Sequence, residues 1–350
     1  MSSNSDPAPS SAAPAKGSRL KRLLQNLALA GCSFLLCAAA FEVVLRVAGY
    51  GNVEIYEADP VVYWKLKPNQ DCYTKIDRKP VHINSRGTRG LEFQVPKPAG
   101  TFRVLSLGDS RTFGWGLAEA ETYSGLIEKQ LQARVGSGKK IEVINAGCNA
   151  WSFPQMHLYF RDFGLKFQPD VVLLADANLW TQFSDQNSPE FVRGFMNRVR
   201  LKNFLRRFAI YHYVVEVKLK EIYATQRARF IPVDPRHDAL FKEQQQKDPD
   251  AFFRQHIEAF CQLAHSNKVQ PVLVFIPTLD QLGTNETSNV LKAKTQVSQR
   301  FNVPLVDATA DLKPRAQELY LDADPVHLNV PGNEILARRI VQTLTNLATP

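Results

Sequence analysis

The pattern of apolar positions changes at about residue 102, where short apolar runs begin to alternate with longer stretches of helical periodicity. The runs are nearly continuous in Val, Ile and Leu, which is typical of strands buried on both faces of a sheet. They occupy residues 103–107, 141–144, 171–175, 271–276 and 304–306. The stretches with helical spacing occupy residues 123–135, 154–167, 251–266, 290–301 and 333–347. This alternation predicts an α/β domain over residues 102–350, with three α/β/α layers around a mostly parallel sheet.

One long stretch, at about residues 180–236, interrupts the alternation of strands and helices. It is basic and aromatic, and we expect a mostly helical insertion within the domain. Its aromatic residues are Phe183, Phe191, Phe195, Phe204, Phe208, Tyr211, Tyr213 and Tyr223.

The N-terminal part of the chain carries a long apolar segment behind a polar tail. Residues 1–22 are rich in Ser, Ala, Pro and Lys, and we expect a disordered cytoplasmic tail. Residues 23–47 are then predicted to form a transmembrane anchor, since a helix over residues 23–45 is about 34 Å long. Basic residues precede the apolar segment, so the rest of the chain should lie outside the cytoplasm. This predicts a single-pass protein of the bacterial inner membrane with a periplasmic domain.

Two other interpretations of the apolar segment remain open. A cleavable signal peptide would need a small-residue cleavage site after a short apolar region, and no convincing one follows. The sequence Leu29-Ala30-Gly31-Cys32 is similar to a bacterial lipobox, which would make Cys32 a lipidated N-terminus. The residues after Cys32 are still strongly apolar, which favours an uncleaved anchor. Near its end, Glu42 and Arg46 are four residues apart and can pair on one helix face.

Residues 48–101 follow the anchor and are rich in Pro, Gly, Asn and charged residues. Short alternating pieces such as residues 61–64 predict short strands. We interpret this segment as an extracytoplasmic linker between the anchor and the main domain.

The formal net charge of +9 raises the question of an anionic partner. A basic surface can bind nucleic acid, anionic lipid or an acidic glycan. The chain has no zinc-finger spacing and no RNA-binding aromatic signature, so nucleic acid is not an expected partner. The five cysteines form no Cys-x-x-Cys pair and the histidines have no metal-ligand spacing, so no metal site is predicted. Disulfide pairing and the oligomeric state are left open.

The first candidate for chemistry lies where the first apolar run ends, in Gly108-Asp109-Ser110. In an open parallel sheet, sites lie beyond the carboxyl ends of the strands. A serine at this position, before a helix, can direct its hydroxyl into a crevice. By itself the motif is weak, since a serine at a strand-to-helix turn is often only an N-cap.

The second candidate is Asp324-Pro325-Val326-His327, which precedes the last helical pattern. A serine nucleophile needs a general base, and that base needs a carboxylate to orient it. One turn of chain can supply both from Asp324 and His327. The Asp-x-x-His spacing alone also fits a simple turn with an exposed histidine, and Asp234 with His237 repeats it by chance.

The two candidates together, in this order along the chain, resemble the SGNH (GDSL-like) hydrolases of membrane-anchored bacterial type. Asn145-Ala146-Gly147 and Asp176-Ala177-Asn178 resemble the second and third blocks of that family. The resemblance implies a flavodoxin-like three-layer fold, with Ser110, Asp324 and His327 as catalytic residues. It also implies an oxyanion hole formed by the Ser110 N–H, the Gly147 N–H and the Asn178 side chain.

The sequence departs from the family pattern beside the expected site. Asp176 stands where the family has Gly, and Leu179 where it has Asp. An inward-pointing carboxylate at Asp176 would oppose the negative charge of an oxyanion. Arg111 follows the nucleophile where an apolar residue is commoner, and three environments are open for it: a pair with Asp176, contact with an anionic substrate, or plain exposure. We expect Asp109 to hold the nucleophile turn by hydrogen bonds.

The resemblance implies an ester hydrolase that needs no cofactor. We expect hydrolysis or transfer of an O-acyl group, acetyl above others, on an extracytoplasmic carbohydrate or another ester. The altered third block leaves an alternative open, a catalytically inactive glycan-binding or assembly protein that retains the fold. A third hypothesis is a membrane-surface adaptor that acts through the basic insertion.

Overall fold

A computed structural model describes the chain over residues 16–53, 56–74, 78–176, 189–219, 248, 250–284, 286–322 and 324–348. Of the predicted insertion it describes residues 189–219, while residues 180–188 and 220–236 of the insertion and the predicted tail up to residue 15 lie outside it. The described residues form nine strands. They are β1 Tyr56–Asp59, β2 Tyr63–Leu66, β3 Gln70–Tyr73, β4 Pro80–Ile83, β5 Thr101–Leu107, β6 Lys140–Asn145, β7 Val171–Leu174, β8 Gln270–Phe275 and β9 Leu305–Asp307.

Five of the strands form the central sheet in the order β6-β5-β7-β8-β9, and every neighbouring pair is parallel. This is the flavodoxin-like order, with the first strand of the domain second from the edge. The predicted α/β class with a mostly parallel sheet is confirmed. All five predicted apolar runs are strands of this sheet.

Helices cover both faces of the sheet. The α-helices are α1 Lys16–Val47, α2 Ser110–Phe113, α3 Tyr123–Val135, α4 Phe153–Asp162, α5 Pro189–Leu205, α6 Ala209–Tyr211, α7 Ala251–Ser266, α8 Leu279–Gly283, α9 Asn289–Phe301, α10 Thr309–Leu312 and α11 Val330–Ala348. Short 3₁₀-helices lie at Glu119–Glu121, Gly136–Gly138, Gly164–Phe167 and Lys313–Glu318, and a π-helical segment lies at His212–Lys218.

The two faces of the sheet belong to two separate hydrophobic clusters. Leu105 and Leu107 of β5 lie in one cluster with α4, α7 and α9, whereas Val104 lies in the other with α3 and α11. Successive strand residues point to opposite faces, so a strand covered on both sides is apolar at most of its positions. Burial on both faces is therefore the reason for the continuous apolar runs.

The segment expected to be a linker differs from a simple spacer. Its strands form two antiparallel hairpins, β1–β2 and β3–β4, whose apolar residues lie in the same cluster as α4 and α7. The Trp64 Nε1 donates to the Asn149 carbonyl at 3.0 Å, and the Trp151 Nε1 donates to the Trp64 carbonyl at 2.9 Å. The segment packs on the domain because burial of its apolar residues against the domain surface removes them from water.

The N-terminal helix α1 is long and apolar enough to cross a membrane. Within Leu20–Val47 the most apolar 18-residue window has a mean hydropathy of 2.1, and none of that window is buried within the protein. At its end, Arg46 and Glu42 form the expected i,i+4 ion pair at 2.8 Å. Length and composition alone support a membrane span here, and a signal sequence near an N-terminus has the same features.

Candidate active site

The turn that carries Ser110, the expected nucleophile, lies at the carboxyl end of β5. The strand ends at Leu107, Gly108 and Asp109 follow, and Ser110 is the first residue of the short helix α2. Asp109, not Ser110, is the N-cap, and its Oδ1 accepts from the Arg111 N–H at 2.9 Å. A Cβ on Gly108 would overlap the Thr112 side chain, so this position has room for glycine alone.

The Asp-x-x-His segment is fixed by a separate set of contacts. Tyr320 and Leu328 form an antiparallel bridge, and the Leu321 N–H donates to the His327 carbonyl at 2.9 Å. The Leu279 N–H donates to the Pro325 carbonyl at 2.7 Å, which ties the segment to the residues after β8. Helix α11 then begins at Val330. The segment is thus held on both sides at the edge of the sheet where β5 ends.

The structure brings Ser110, His327 and Asp324 into one chain of hydrogen bonds. The Ser110 Oγ lies 2.7 Å from the His327 Nε2, although the two residues are 217 positions apart. The His327 Nδ1 lies 2.7 Å from the Asp324 Oδ2. The side chains of His327 and Asp324 are 15% and 21% exposed, so a substrate has access to the site while the contacts are largely desolvated. This arrangement suits proton transfer from the hydroxyl to the imidazole.

The carboxylate of Asp324 is held in its charged form. Burial works to raise its pKa, but the hydrogen bond from His327 and those from the Val326 and His327 backbone N–H groups outweigh burial. The pKa of Asp324 therefore lies below its usual value. A charged carboxylate on the Nδ1 side keeps the Nε2 of His327 available to accept the serine proton.

Beneath the nucleophile lies a buried network of charged side chains. Arg111 binds the Asp109 carboxylate at 2.9 Å and donates to the Ile276 carbonyl at 2.9 Å, and it lies 3.7 Å from Asp176. The Arg111 side chain is only 10% exposed, so plain exposure, one of the three environments expected for it, is wrong. Burial works to lower the pKa of Arg111, and the two carboxylates outweigh it and raise that pKa.

Asp176 points into this network and is 3% exposed. Its Oδ2 accepts from the Ile276 N–H at 2.5 Å, and its Oδ1 contacts the Nζ of Lys294. Two cationic side chains and one amide therefore surround the carboxylate. Its negative charge is compensated, which answers the concern that Asp176 would oppose an oxyanion.

The expected oxyanion donors are described only in part. Gly147 packs so closely on α2 that a Cβ would overlap the Phe113 backbone nitrogen. Its N–H donates to the Asn145 Oδ1 at 3.1 Å, so a substrate oxygen would have to compete with that side chain. The N–H of Ser110 belongs to the first turn of α2, where backbone amides have no partner within the helix. Asn178 lies outside the described residues.

Three neighbours of the site were not identified from the sequence. The Trp115 ring stacks on the His327 ring, with centroids 5.9 Å apart and planes inclined by 27°. Arg89 is buried and donates to the carbonyls of Phe113 and Gly114 at 2.7 and 2.9 Å, which fixes the end of α2. Lys294 had a usable signal, because it lies on the buried stripe of α9 among apolar residues.

A pocket of about 230 Å³ adjoins the imidazole. It is lined by Arg111, Gly114, Trp115, Leu117, Ile276, His327, Leu328, Asn333 and Leu336. Within the described ranges, no group of three or more His, Cys, Asp or Glu side chains is placed to hold a metal ion.

Comparison with known protein families assigns the chain to a class. The family described as GDSL-like lipase/acylhydrolase matches residues 106–335, which is more than half of the chain. The protein therefore belongs to the GDSL-like lipase/acylhydrolase family and is an ester hydrolase. The resemblance to SGNH hydrolases inferred from the four motifs is confirmed. No curated protein matches the chain.

Several solved structures are similar to the chain at low sequence identity. A lipase/acylhydrolase from Enterococcus faecalis is 16% identical over 70% of this chain and 96% of its own, with a TM-score of 0.44. An acetyl xylan esterase from Geobacillus stearothermophilus is 16% identical over 69% and 93%, with a TM-score of 0.41. A two-domain esterase active on acetylated mannans is 14% identical over 72% and 51%, with a TM-score of 0.43.

Proposed function

We propose that this ester hydrolase uses Ser110 as nucleophile, His327 as general base and acid, and Asp324 as the group that orients His327. The observation that carries the proposal is the pair of 2.7 Å contacts that joins the three side chains across 217 positions. Ser110 Oγ attacks the ester carbonyl while its proton passes to His327 Nε2. His327 then returns the proton to the leaving alcohol, and a second hydroxyl group resolves the acyl-enzyme.

The negative charge of the tetrahedral intermediate is stabilised by an oxyanion hole, which consists of the Ser110 N–H, the Gly147 N–H and the Asn178 side chain. For Gly147, binding the oxyanion exchanges its contact with the Asn145 side chain for one with the substrate. The exchange favours the transition state, because a charged oxygen is a stronger acceptor than a neutral amide oxygen. Loss of one such donor costs about 3 kcal/mol of activation free energy.

The acyl group we propose is a short one, above all acetyl. The pocket beside His327 is lined by the large side chains of Trp115, Leu117 and Leu336, which leave little enclosed space for an acyl chain. A long acyl chain would have to extend over the surface. Water or a sugar hydroxyl resolves the acyl-enzyme, so the reaction is either hydrolysis or transfer.

The place of action we propose is the outer side of the bacterial inner membrane, with α1 as an uncleaved anchor. The four basic residues that precede the apolar segment favour this orientation. Carbohydrate O-acetyl esters outside the cytoplasm are then the substrate class within reach.

Labelling with a fluorophosphonate probe tests the catalytic assignment. The wild-type chain should be labelled, Ser110→Ala should not, and His327→Ala should be labelled far more slowly because the hydroxyl loses its base. His237→Ala is the matched control, since it lies in the other Asp-x-x-His match and should label like the wild type. Equal acetyl release from a simple aryl acetate by wild type and Ser110→Ala would favour the inactive, glycan-binding alternative.

A second assay separates hydrolysis from transfer. Acetylated oligosaccharide is incubated with the enzyme alone and with an unacetylated oligosaccharide as acceptor. Free acetate in both reactions indicates a hydrolase, whereas acetylated acceptor without equivalent acetate indicates a transferase. If neither free acetate nor acetylated acceptor forms while the aryl acetate is still cleaved, the result would argue against a carbohydrate substrate.

A further inference from the structure

Exposed apolar side chains are concentrated in one part of the domain. Outside α1, the described residues include seven large hydrophobic residues with exposed side chains, and five of them lie within residues 189–219. They are Leu201, Phe204, Phe208, Val214 and Leu219. The two others, Tyr73 and Leu91, are isolated. A cluster of this kind marks a surface that is covered by something else, whereas single exposed apolar residues need no explanation.

Helix α5 in this segment has two different faces. One face packs on the domain through Val192, Phe195 and Val199, and the Phe195 ring lies 5.1 Å from the Trp64 ring. The opposite face exposes Leu201 and Phe204 together with basic side chains. The exposed basic residues of the segment are Arg193, Arg198, Arg200, Arg207 and Lys218. Exposed apolar side chains beside exposed basic ones fit a membrane surface, where the apolar groups enter the acyl boundary and the basic groups meet lipid phosphates.

The segment is attached to the end of α1. The Glu42 carboxylate accepts from the N–H groups of Ala209 and Ile210 at 2.8 and 2.9 Å. Arg46 donates to the Arg207 carbonyl at 2.6 Å, and the Gly51 N–H donates to the His212 Nδ1 at 2.9 Å. These contacts fix residues 207–212 of the insertion beside the last turn of α1.

The attachment sets the depth of the segment relative to a bilayer. A hydrocarbon core takes about 20 helical residues, which places its outer boundary near Glu42 if it starts at Leu23. Phe208, which is 43% exposed, directly precedes Ala209 and then lies at the level of the lipid headgroups. The exposed apolar residues of the insertion therefore begin at the depth where α1 leaves the hydrocarbon core.

We propose that the exposed face of residues 189–219 docks on the outer leaflet of the bilayer that α1 crosses, and that its arginines bind anionic phospholipid headgroups. The proposal rests on the membrane location proposed above and is independent of the catalytic assignment. Leu201, Phe204 and Phe208 enter the boundary between headgroups and acyl chains, and the basic side chains meet lipid phosphates. The domain is thereby held in one orientation on the membrane, which a flexible tether would not achieve.

Depth-dependent fluorescence quenching tests the docked state. The full chain, with Cys32→Ala and Cys37→Ala, is reconstituted into nanodiscs that contain anionic phospholipid. A fluorophore is attached to a single cysteine introduced as Leu201→Cys, as Leu91→Cys or as Leu35→Cys. The quencher is a phospholipid that carries a nitroxide near the top of its acyl chain. Leu91 is the matched control, because it is 85% exposed against 60% for Leu201 and lies outside the insertion.

We expect the label at Leu201 to be quenched several-fold more strongly than the label at Leu91. Equal weak quenching at both positions would overturn the proposal. The label at Leu35, in the middle of α1, reports whether the anchor is inserted. If it is not quenched by a nitroxide at the end of the acyl chain, the membrane location fails, and with it the docking proposal. Neither result depends on esterase activity.

The role of charge is tested with the same label. Arg193→Ser and Arg200→Ser should each lower the ratio of docked to undocked protein by about fivefold. Arg338→Ser in α11, on the opposite face of the sheet, is the control and should change nothing. Quenching that is the same in purely zwitterionic nanodiscs and at high salt would refute headgroup binding. A label that responds to a soluble acidic polysaccharide, but not to lipid, would overturn the proposal in favour of a glycan partner.

Discussion

Lys294 offers a direct test of the charged network under the nucleophile. Its side chain is fully buried, and its Nζ contacts the Asp176 carboxylate and donates to the Val274 carbonyl at 2.5 Å. Lys294→Met removes the charge and keeps a side chain of similar length. The methyl thioether fills most of the volume of the lysine stem, so cavity formation contributes little. What changes is that the buried Asp176 carboxylate loses one of its two cationic neighbours.

The expected loss of stability in Lys294→Met depends on the groups that still contact Asp176. Removing one partner of a buried ion pair costs about 3–5 kcal/mol. Here Arg111 remains at 3.7 Å and the Ile276 N–H still donates to the carboxylate. Burial also lowers the pKa of Lys294, so the substitution relieves a desolvation cost. We therefore expect the lower end of the range, about 3 kcal/mol, which corresponds to a fall of about 6–10 °C in melting temperature.

Thermal unfolding of the full chain in detergent, followed by tryptophan fluorescence, measures the effect. Lys292→Met on the exposed side of the same helix is the control and should shift stability by less than about 0.5 kcal/mol. Adding Asp176→Asn to Lys294→Met should recover part of the loss, because the uncompensated charge disappears. The reasoning is refuted if Lys294→Met is no less stable than the control, or if the added Asp176→Asn makes it worse.

Three further substitutions test the site. Asp324→Asn should lower kcat on an aryl acetate by about 10⁴-fold, because His327 loses the carboxylate that orients it. The folded-state pKa of Asp324 is lowered, so the stabilisation from its charged form is complete above the unfolded pKa and declines as pH falls through the folded value. The melting temperature of Asp324→Asn, measured at a series of acidic pH values, should therefore depend less on pH than that of the wild type. An unchanged pH dependence would contradict the assignment. Gly147→Ala should abolish activity and cost about 1–3 kcal/mol of stability, since its Cβ would overlap the Phe113 backbone; wild-type kcat with a normal melting temperature would argue against that packing. Trp115→Ala should lower kcat/KM on the same ester, because the stacked ring helps to position the His327 imidazole. The pH dependence of the melting temperature should not change, since the substitution leaves the Asp324 carboxylate in place. An unaltered kcat/KM would show that the stacking is incidental.

The sequence by itself determined the elements of the domain and the motifs that identify the family. Strands buried on both faces need continuous apolar runs, and amphipathic helices need apolar residues at helical spacing, so local composition carried both signals. The site motifs were also local, since Ser110 follows a strand and Asp324 and His327 share one turn. Their order along the chain, with the two middle blocks, was enough to identify the family.

Only the tertiary structure decided how the charged residues around the site are used. Lys294 and Asp176 are 118 positions apart, and a lysine within an amphipathic pattern reveals its partner only after the chain has folded. The sequence left three environments open for Arg111, because the burial of a side chain depends on distant residues that pack against it. The packing of residues 48–101 on the domain and the contact of Glu42 with the insertion likewise depend on distant segments. Propensity and spacing act over a few residues, whereas desolvation and charge pairing act across whatever surfaces the fold brings together.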